Sequence, residues 1–259
     1  MQFSVVTPSF NQGRFLSDCL QSVADQRSAE IQVEHIVVDA CSTDETKALL
    51  ESRSDVVWTS KPDDGQTDAI NKGFRQASGE WLMWLNADDF LLPGALEKVQ
   101  TFASKHPTAK VIHGDCMFVD EAGRKIRDKK EGGLDLMMLV LYGCYIPSTA
   151  TLFHRSLIER GLLLDARYRN CMDLEYFVRL AGAGVRFEHL PEVLSAFRFH
   201  DSNVSFTFVQ RRKQEKLEIQ RKFLGERGLG WLARPVFLDP LMRLYQIKRA
   251  IRRSLGFTP

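Results

Sequence analysis

No apolar run in this chain of 259 residues approaches the roughly 18 needed to cross a bilayer, which excludes a transmembrane helix. The opening, M-Q-F-S-V-V-T-P-S-F, lacks the charged start and apolar block of a signal peptide and reads as a first core strand. Cysteines are few and scattered: Cys19, Cys41, Cys116, Cys144 and Cys171. Their odd number and the lack of any C-x-x-C pair argue against a zinc or disulfide framework and for free thiols in a reducing cytosol. Neither G-x-G-x-x-G after the first strand nor G-x-x-x-x-G-K-[ST] occurs, so the two common phosphate-cradling loops are excluded. Internal repeats are missing, as is any low-complexity linker before residue 208. The expectation is one body over residues 1–207, with halves at 1–105 and 106–207, followed by an extension at 208–259.

A large net charge is also missing, at +2 overall, but the charge is unevenly placed. Residues 210–259 hold 13 Lys/Arg and 4 Asp/Glu, a net of +9; residues 1–209 hold 22 and 29, a net of −7. An acidic body with a basic tail points to different partners for each. The acidic body, with no aromatic stacking platform, argues against nucleic acid.

What is present is a regular alternation. Residues 3–7, 34–38 and 56–59 read as strands, and Trp81–Leu85 is an apolar run typical of a strand buried on both faces. Helices are predicted over 13–26, after a capping box Ser42-Thr-Asp-Glu45, and around Ala69–Ala77. Four strand–helix alternations imply an α/β fold with a parallel sheet flanked by helices. Beyond Pro93–Lys105 the pattern changes. Short strands are predicted at 111–113, 117–119, 149–154, 185–190 and 193–200, and helices at 134–142 and 172–181.

Each strand of the first half ends in polar residues. These are Thr7-Pro-Ser-Phe-Asn11, Asp39 with Ser42-Thr-Asp44, Asp63-Asp-Gly65, and Asn86-Ala-Asp-Asp89. Four such ends along one rim describe a pocket, where open α/β sheets place their ligands. Adjacent carboxylates at Asp88 and Asp89 repel, and a hard divalent metal carrying a phosphate would relieve that repulsion. The plainer reading of the same stretch is a polar turn ahead of the helix after Pro93.

In order and spacing, Val6-Thr-Pro-Ser-Phe-Asn11, Val38-Asp39 with Ser42-Thr-Asp44, Asp64-Gly65 with Asp68-Ala69, Asn71-Lys-Gly73, and Leu85-Asn-Ala-Asp-Asp89 resemble family-2 glycosyltransferases. The resemblance spans residues 3–95 and continues more weakly to about residue 205. It implies the GT-A fold, a Rossmann-like mixed, mainly parallel sheet, here with a C-terminal helical tail. It implies an inverting enzyme that uses a nucleoside-diphosphate sugar, with a UDP-sugar favoured, and a divalent metal, Mn²⁺ or Mg²⁺. By the resemblance, Thr7, Pro8 and Asn11 line the nucleotide site and Asp39 hydrogen-bonds the base. Asp64 and Asp68 lie near the ribose or donor sugar. Asn86-Ala87-Asp88 stands where the family has D-x-D, so Asp88 is the expected metal ligand and Asp89 its support. Asn86 brings no charge, which departs from the pattern. Asp44 either contacts ligand or serves the first turn of its helix.

Inversion needs a general base. The resemblance places it at Asp173, in Asn170-Cys-Met-Asp-Leu-Glu-Tyr-Phe-Val-Arg179, with Met172 replacing a family acid; capping of the helix is the alternative. Arg179 would pair with Asp173 or a phosphate. His200, in the Arg198-Phe-His200 context, either completes the metal or diphosphate site or is a structural hydrogen-bonder. Gly114-Asp115 resembles a turn facing the donor sugar, and Tyr145–Thr149 borders the acceptor cleft. In the tail, Leu244, Ile247, Ile251 and Leu255 fall on one arc, with Lys248 intruding and Arg243, Arg249 and Arg253 elsewhere. That is either a helix that lies on a membrane surface or one packed on the body with solvated arginines. The expected partners are a nucleotide sugar and a glycan or lipid-linked acceptor, in cytoplasm at the inner face of the cell membrane. Two rivals remain: a sugar nucleotidyltransferase, and a binding protein with a degenerate site.

Overall fold

The computed structural model describes residues 1–201, 203 and 208–254. Their sheet has nine strands. The first four are β1 (Gln2–Ser9), β2 (Gln32–Asp39), β3 (Val57–Ser60) and β4 (Trp81–Trp84), all mutually parallel and ordered β3-β2-β1-β4. Beyond β4 the sheet turns mixed. β8 (Thr151–His154) runs antiparallel to it, followed by β6 (Val111–Val119), β9 (Phe187–Arg198) and β5 (Phe90–Leu91), with β7 (Lys125–Lys129) paired on β6. The parallel pairings β1–β2 and β6–β9 are the longest ladders, so the predicted mixed, mainly parallel sheet is what forms.

Three helices follow the first three strands: α1 (Gly13–Ala24), α2 (Thr46–Glu51) and α3 (Gln66–Gln76). α4 (Ala95–Lys105), α5 (Leu136–Leu141), α6 (Arg155–Glu159) and α7 (Met172–Gly182) complete the body. All four residues of β4 are buried, as the apolar run demanded. Trp84 is the hub of an aromatic cluster, stacked on Phe153 at 5.3 Å and near Phe74, Tyr176 and Phe177.

Several local expectations are corrected. Residues 111–113 and 117–119 are one strand, and so are 187–198. The β6–β9 ladder absorbs Gly114 and Pro191 by shifting register around Asp115, so neither residue ends its strand. Gly114-Asp115 is therefore mid-strand and not a turn; a Cβ on Gly114 would lie 2.5 Å from Leu194. The capping box does not form. Glu45 takes the cap position of α2 without a side-chain bond, because Ser42 is drawn instead to the Asp39 carboxylate. β7 escaped the sequence pattern because a charged edge strand carries little apolar signal.

The tail helices α8 (Val209–Glu226) and α9 (Pro235–Ser254) do not stand apart. Ile219, Phe223 and Leu224 of α8 and Leu238 of α9 are buried in the same core as Trp84. Leu255 lies outside the described residues.

The N-K-G segment on α3 has a packing cause. A Cβ on Gly73 would sit 2.3 Å from a Val6 methyl, so the glycine lets α3 lie directly on β1. Asn71, two residues before it, bonds both the carbonyl and the N–H of Leu164, tying α3 to the second half. Gly73→Ala should therefore lower unfolding stability by about 1–3 kcal/mol in urea titration, since the overlap is with a branched, fully buried side chain. Unchanged stability would show that α3 can lift off β1 freely.

Candidate active site

The carboxyl ends of β1, β2 and β4 and the loop after β3 open on one cavity of about 750 Å³. Pro8, Asp64, Asn86, Ala87 and Asp88 line it, as does Arg169 from the second half. Only two non-glycine residues among those described have positive φ, Asn11 at 50° and Cys41 at 59°, and both lie at this rim. Backbone held in that region is over-determined by its surroundings, which is common at binding sites.

Strand alternation sorts the other expected ligands. Thr7 points the opposite way from Pro8, into the core, where its hydroxyl bonds His35 at 2.9 Å. It does not line the cavity. Asp39 is fully buried and accepts from Ser42 N–H at 3.0 Å, from the Ser42 hydroxyl, and from the Ser60 hydroxyl at 2.6 Å. It braces the rim, leaving Ala40 and Cys41 as the wall. Asn11 turns its side-chain oxygen to Thr43 N–H at 2.8 Å. Asp44 accepts from Gly13 N–H and Thr46 N–H, which holds its pKa below the usual range and gives it a helix-terminus role on both α1 and α2. Asp68 pairs with Lys72 at 2.7 Å and accepts from Asp64 N–H, so it shapes the loop that presents Asp64.

The turn after β4 is the densest polar knot. Asp89 is 1% exposed, and burial together with the charge of Asp88 pushes its pKa well up. It accepts from the backbone N–H of Arg198 and from the amide of Asn86, each at 3.0 Å. Asn86 in turn accepts from Gln66 at 2.7 Å. Arg198 is buried and reaches the Asp88 carbonyl, the Glu121 carbonyl and the Asp18 carboxylate. Asp88 itself faces His200: Oδ2 and Nε2 are 2.9 Å apart, with Asn203 closing behind and Phe15 against the imidazole. The structure thus brings Asn86, Asp88, Asp89, Arg198 and His200 together across more than a hundred residues of chain.

A second, smaller cavity of about 130 Å³ adjoins the first and shares Gln66, Asn86, Arg169 and Phe197 with it. Asp173 lies in its wall, beside Ser148. The Asp173 side chain stays partly accessible there but is packed round by protein, and this burial raises its pKa against the opposing hydrogen bonds of the Cys144 thiol and Leu174 N–H. Asp173 is not the cap of α7; Cys171 holds that position without a side-chain bond. Glu215 of α8 braces the loop that leads into α7, accepting from the N–H groups of Arg169, Asn170 and Cys171. Arg179 needs correcting: it pairs with Glu175, one turn back on α7, at 2.8 Å, and bonds the Leu163 carbonyl, so it reaches neither Asp173 nor the cavity. Met172 packs its sulfur on the Thr67 hydroxyl at 3.1 Å.

Sequence reasoning missed Gln66, Arg169, Glu215 and the exposed Phe10 at the mouth of the larger cavity. Gln66 had a signal, since it follows Asp64-Gly65. Glu215 had none, because an acid among the charges of a basic helix reads as a solvated face.

Among the described residues no three His, Cys, Asp or Glu side chains gather at one point. The pair Asp88 and His200 nevertheless suits a divalent ion, because such ions take one or two protein ligands and complete their shell with phosphate oxygens and water. The carboxylate fits Mg²⁺ or Mn²⁺; the imidazole inclines the pair toward the transition metal.

Comparison with known proteins places the family and the fold. The chain is 29% identical over 183 residues to a PGL/p-HBAD biosynthesis glycosyltransferase of Mycobacterium tuberculosis, covering 68% of each chain. It is 26% identical over 253 residues to an uncharacterised glycosyltransferase of Nostoc, covering 87% of this chain and 75% of the relative. Its fold matches Staphylococcus aureus TarS residues 1–349 bound to UDP-GlcNAc, with a TM-score of 0.68, 18% identity, and coverage of 96% and 88%. It also matches a Pyrobaculum calidifontis mannosyltransferase bound to GDP-Man and Mn²⁺, with a TM-score of 0.64, 18% identity, and coverage of 96% and 75%. The model of glycosyl transferase family 2 matches residues 4–160, and the chain belongs to that family: it is a glycosyltransferase on the GT-A fold.

Proposed function

We propose that the chain transfers a sugar, with inversion, from a nucleoside diphosphate sugar to a hydroxyl of a glycan or lipid-linked acceptor in cell-surface polysaccharide synthesis. The observation that carries this reading is the pair of adjoining cavities, with Asp88 and His200 at one and Asp173 in the other. The donor is a UDP-sugar by preference, in line with the UDP-GlcNAc held by TarS. The body works in the cytoplasm, against the inner face of the membrane.

In the proposed reaction the acceptor enters the smaller cavity and gives its hydroxyl proton to the Asp173 carboxylate. Its oxygen forms a bond to the anomeric carbon. The bond from that carbon to the diphosphate oxygen breaks on the opposite side, and the diphosphate departs with the electron pair. Approach from the opposite side inverts the anomeric centre. Arg169, placed between the cavities, donates to the leaving diphosphate. Asp88 and His200 would hold the divalent ion, which when bound offsets diphosphate charge. Phe10 offers its exposed ring to the nucleobase, and Asp64 lies near the ribose. Asp39 would meet the base through the rim it braces. The Asn86 amide holds Asp89 without adding a charge, so its departure from D-x-D is consistent with an active site.

Asp173→Asn should lower transfer about 10²–10⁴-fold while nucleotide affinity stays within about twofold of wild type, read by release of nucleoside diphosphate and by calorimetry. Normal transfer by this variant would end the base assignment. No release from any nucleotide sugar by the wild type, with acceptor lipid and Mn²⁺ present, would overturn the proposed reaction.

The base acts as carboxylate, and its folded pKa is raised by burial. Transfer should therefore fall as pH drops through a value above the ordinary carboxylate range of about 4. A flat rate down to that range would show that another group takes the proton.

Asp88→Ala and His200→Ala should each remove most of the strengthening that Mn²⁺ gives to UDP binding in calorimetric titration. Strengthening equal to that of wild type in both variants would place the ion elsewhere.

A further inference from the structure

The apolar arc of α9 faces outward. Leu244 and Ile247 are each 57% exposed, Ile251 is 52% and Val236 70%. The opposite side of the same helix docks on the body. Leu238, Leu241, Met242 and Tyr245 meet the core, Lys248 pairs with Asp135 at 2.8 Å, and Arg249 pairs with Glu131. The helix thus carries a second, outward apolar stripe besides the inward one usual for a surface helix. Ten of the thirteen large hydrophobic side chains exposed among the described residues lie between 208 and 251. Two of these, Trp231 and Phe237, stand edge to face at 5.2 Å at the start of α9.

Charge selects the occupant. Arg243 borders the arc and Arg234 precedes the helix; both are exposed, and neither has an ion-pair partner among the described residues. The segment from residue 210 onward carries a net +9, against −7 for the rest. An apolar stripe flanked by arginines matches an anionic bilayer surface, into which such a helix sinks lengthwise. A second copy of this chain would bring the same positive charge to the contact, which opposes pairing. No helix among the described residues is long and apolar enough to cross a membrane, so α9 would lie in the plane.

We propose that α9, with the turn just before it, is a lipid-docking element, binding anionic membrane through Trp231, Val236, Phe237, Leu244 and Ile247. It deepens the proposed reading, in which the acceptor is lipid-linked. The ion pairs on its inner side hold residues 131–135, and Tyr145 bonds that same segment through its hydroxyl, next in sequence to Cys144, which touches Asp173. Docking would therefore bring the wall of the acceptor cavity to the bilayer.

The test is sedimentation of the full chain with vesicles of equal parts phosphatidylglycerol and phosphatidylcholine, and with phosphatidylcholine alone. Binding should favour the anionic vesicles and weaken with salt. The double variant Leu244→Glu, Ile247→Glu should lose at least about tenfold in partition. Its melting temperature and its release of nucleotide without vesicles should be unchanged, since both side chains are exposed and remote from the cavities. Wild type left in the supernatant, or a variant that binds equally, overturns the proposal. So does a wild-type dimer that the double variant converts to monomer without any vesicle binding. Vesicle binding with no nucleotide release from any donor leaves the docking standing and sinks the catalytic reading alone.

Discussion

A carboxylate with almost no exposure must be supplied with donors from inside the protein, and Asp89 sets that condition for everything around it. One donor comes from β9, the Arg198 N–H; the other comes from Asn86, three residues back. Meeting the condition fastens the end of β4 to the end of β9, and so joins the two halves of the chain at the place where Asp88 must stand. The Arg198 side chain repeats the link through the Asp88 carbonyl, and His200 repeats it through the Asp88 carboxylate. Removing one partner would leave a buried carboxyl oxygen without its donor, an effect larger than the net gain of the bond itself.

The same condition accounts for Asn86. An aspartate there would point a third carboxylate at two that already repel. The amide presents an N–H to Asp89 and an oxygen to Gln66, and in doing so sets the boundary shared by the two cavities. Asp88 is left as the one acid of the turn with access to the larger cavity.

The parts that were legible in sequence were those governed by one periodic signal. Trp81–Leu85 read as a doubly covered strand, and polar residues after each early strand marked a rim. The parts that were not legible depended on direction. Thr7 and Pro8 are neighbours, yet the two-residue period of a strand sends one inward and one to the cavity. Asp39 sits at the right strand end, but Ser42 and Ser60 turn it into a brace. Arg179 was read by proximity to Asp173, whereas helix geometry gave it Glu175. The fused strands β6 and β9 were hidden because Gly114 and Pro191 look like breaks, and only a partner ladder shows that a register shift can carry the chain past them.

Glu215 shows most clearly why the tail resisted sequence reading. Its helix is strongly basic, so the acid looks like one of several solvated charges. In the fold it is buried and receives three consecutive backbone N–H groups of the loop that leads into α7. The approach to the helix bearing Asp173 is thus held by a residue from α8, and the outer face of α9 is turned away from the body by the two ion pairs on its inner face. Lys248, which spoiled the apolar arc as a pattern, is one of those two anchors. The arc becomes coherent once Lys248 and Arg249 are grouped with Leu238, Leu241, Met242 and Tyr245 on the inner face, with Leu244 and Ile247 on the outer one.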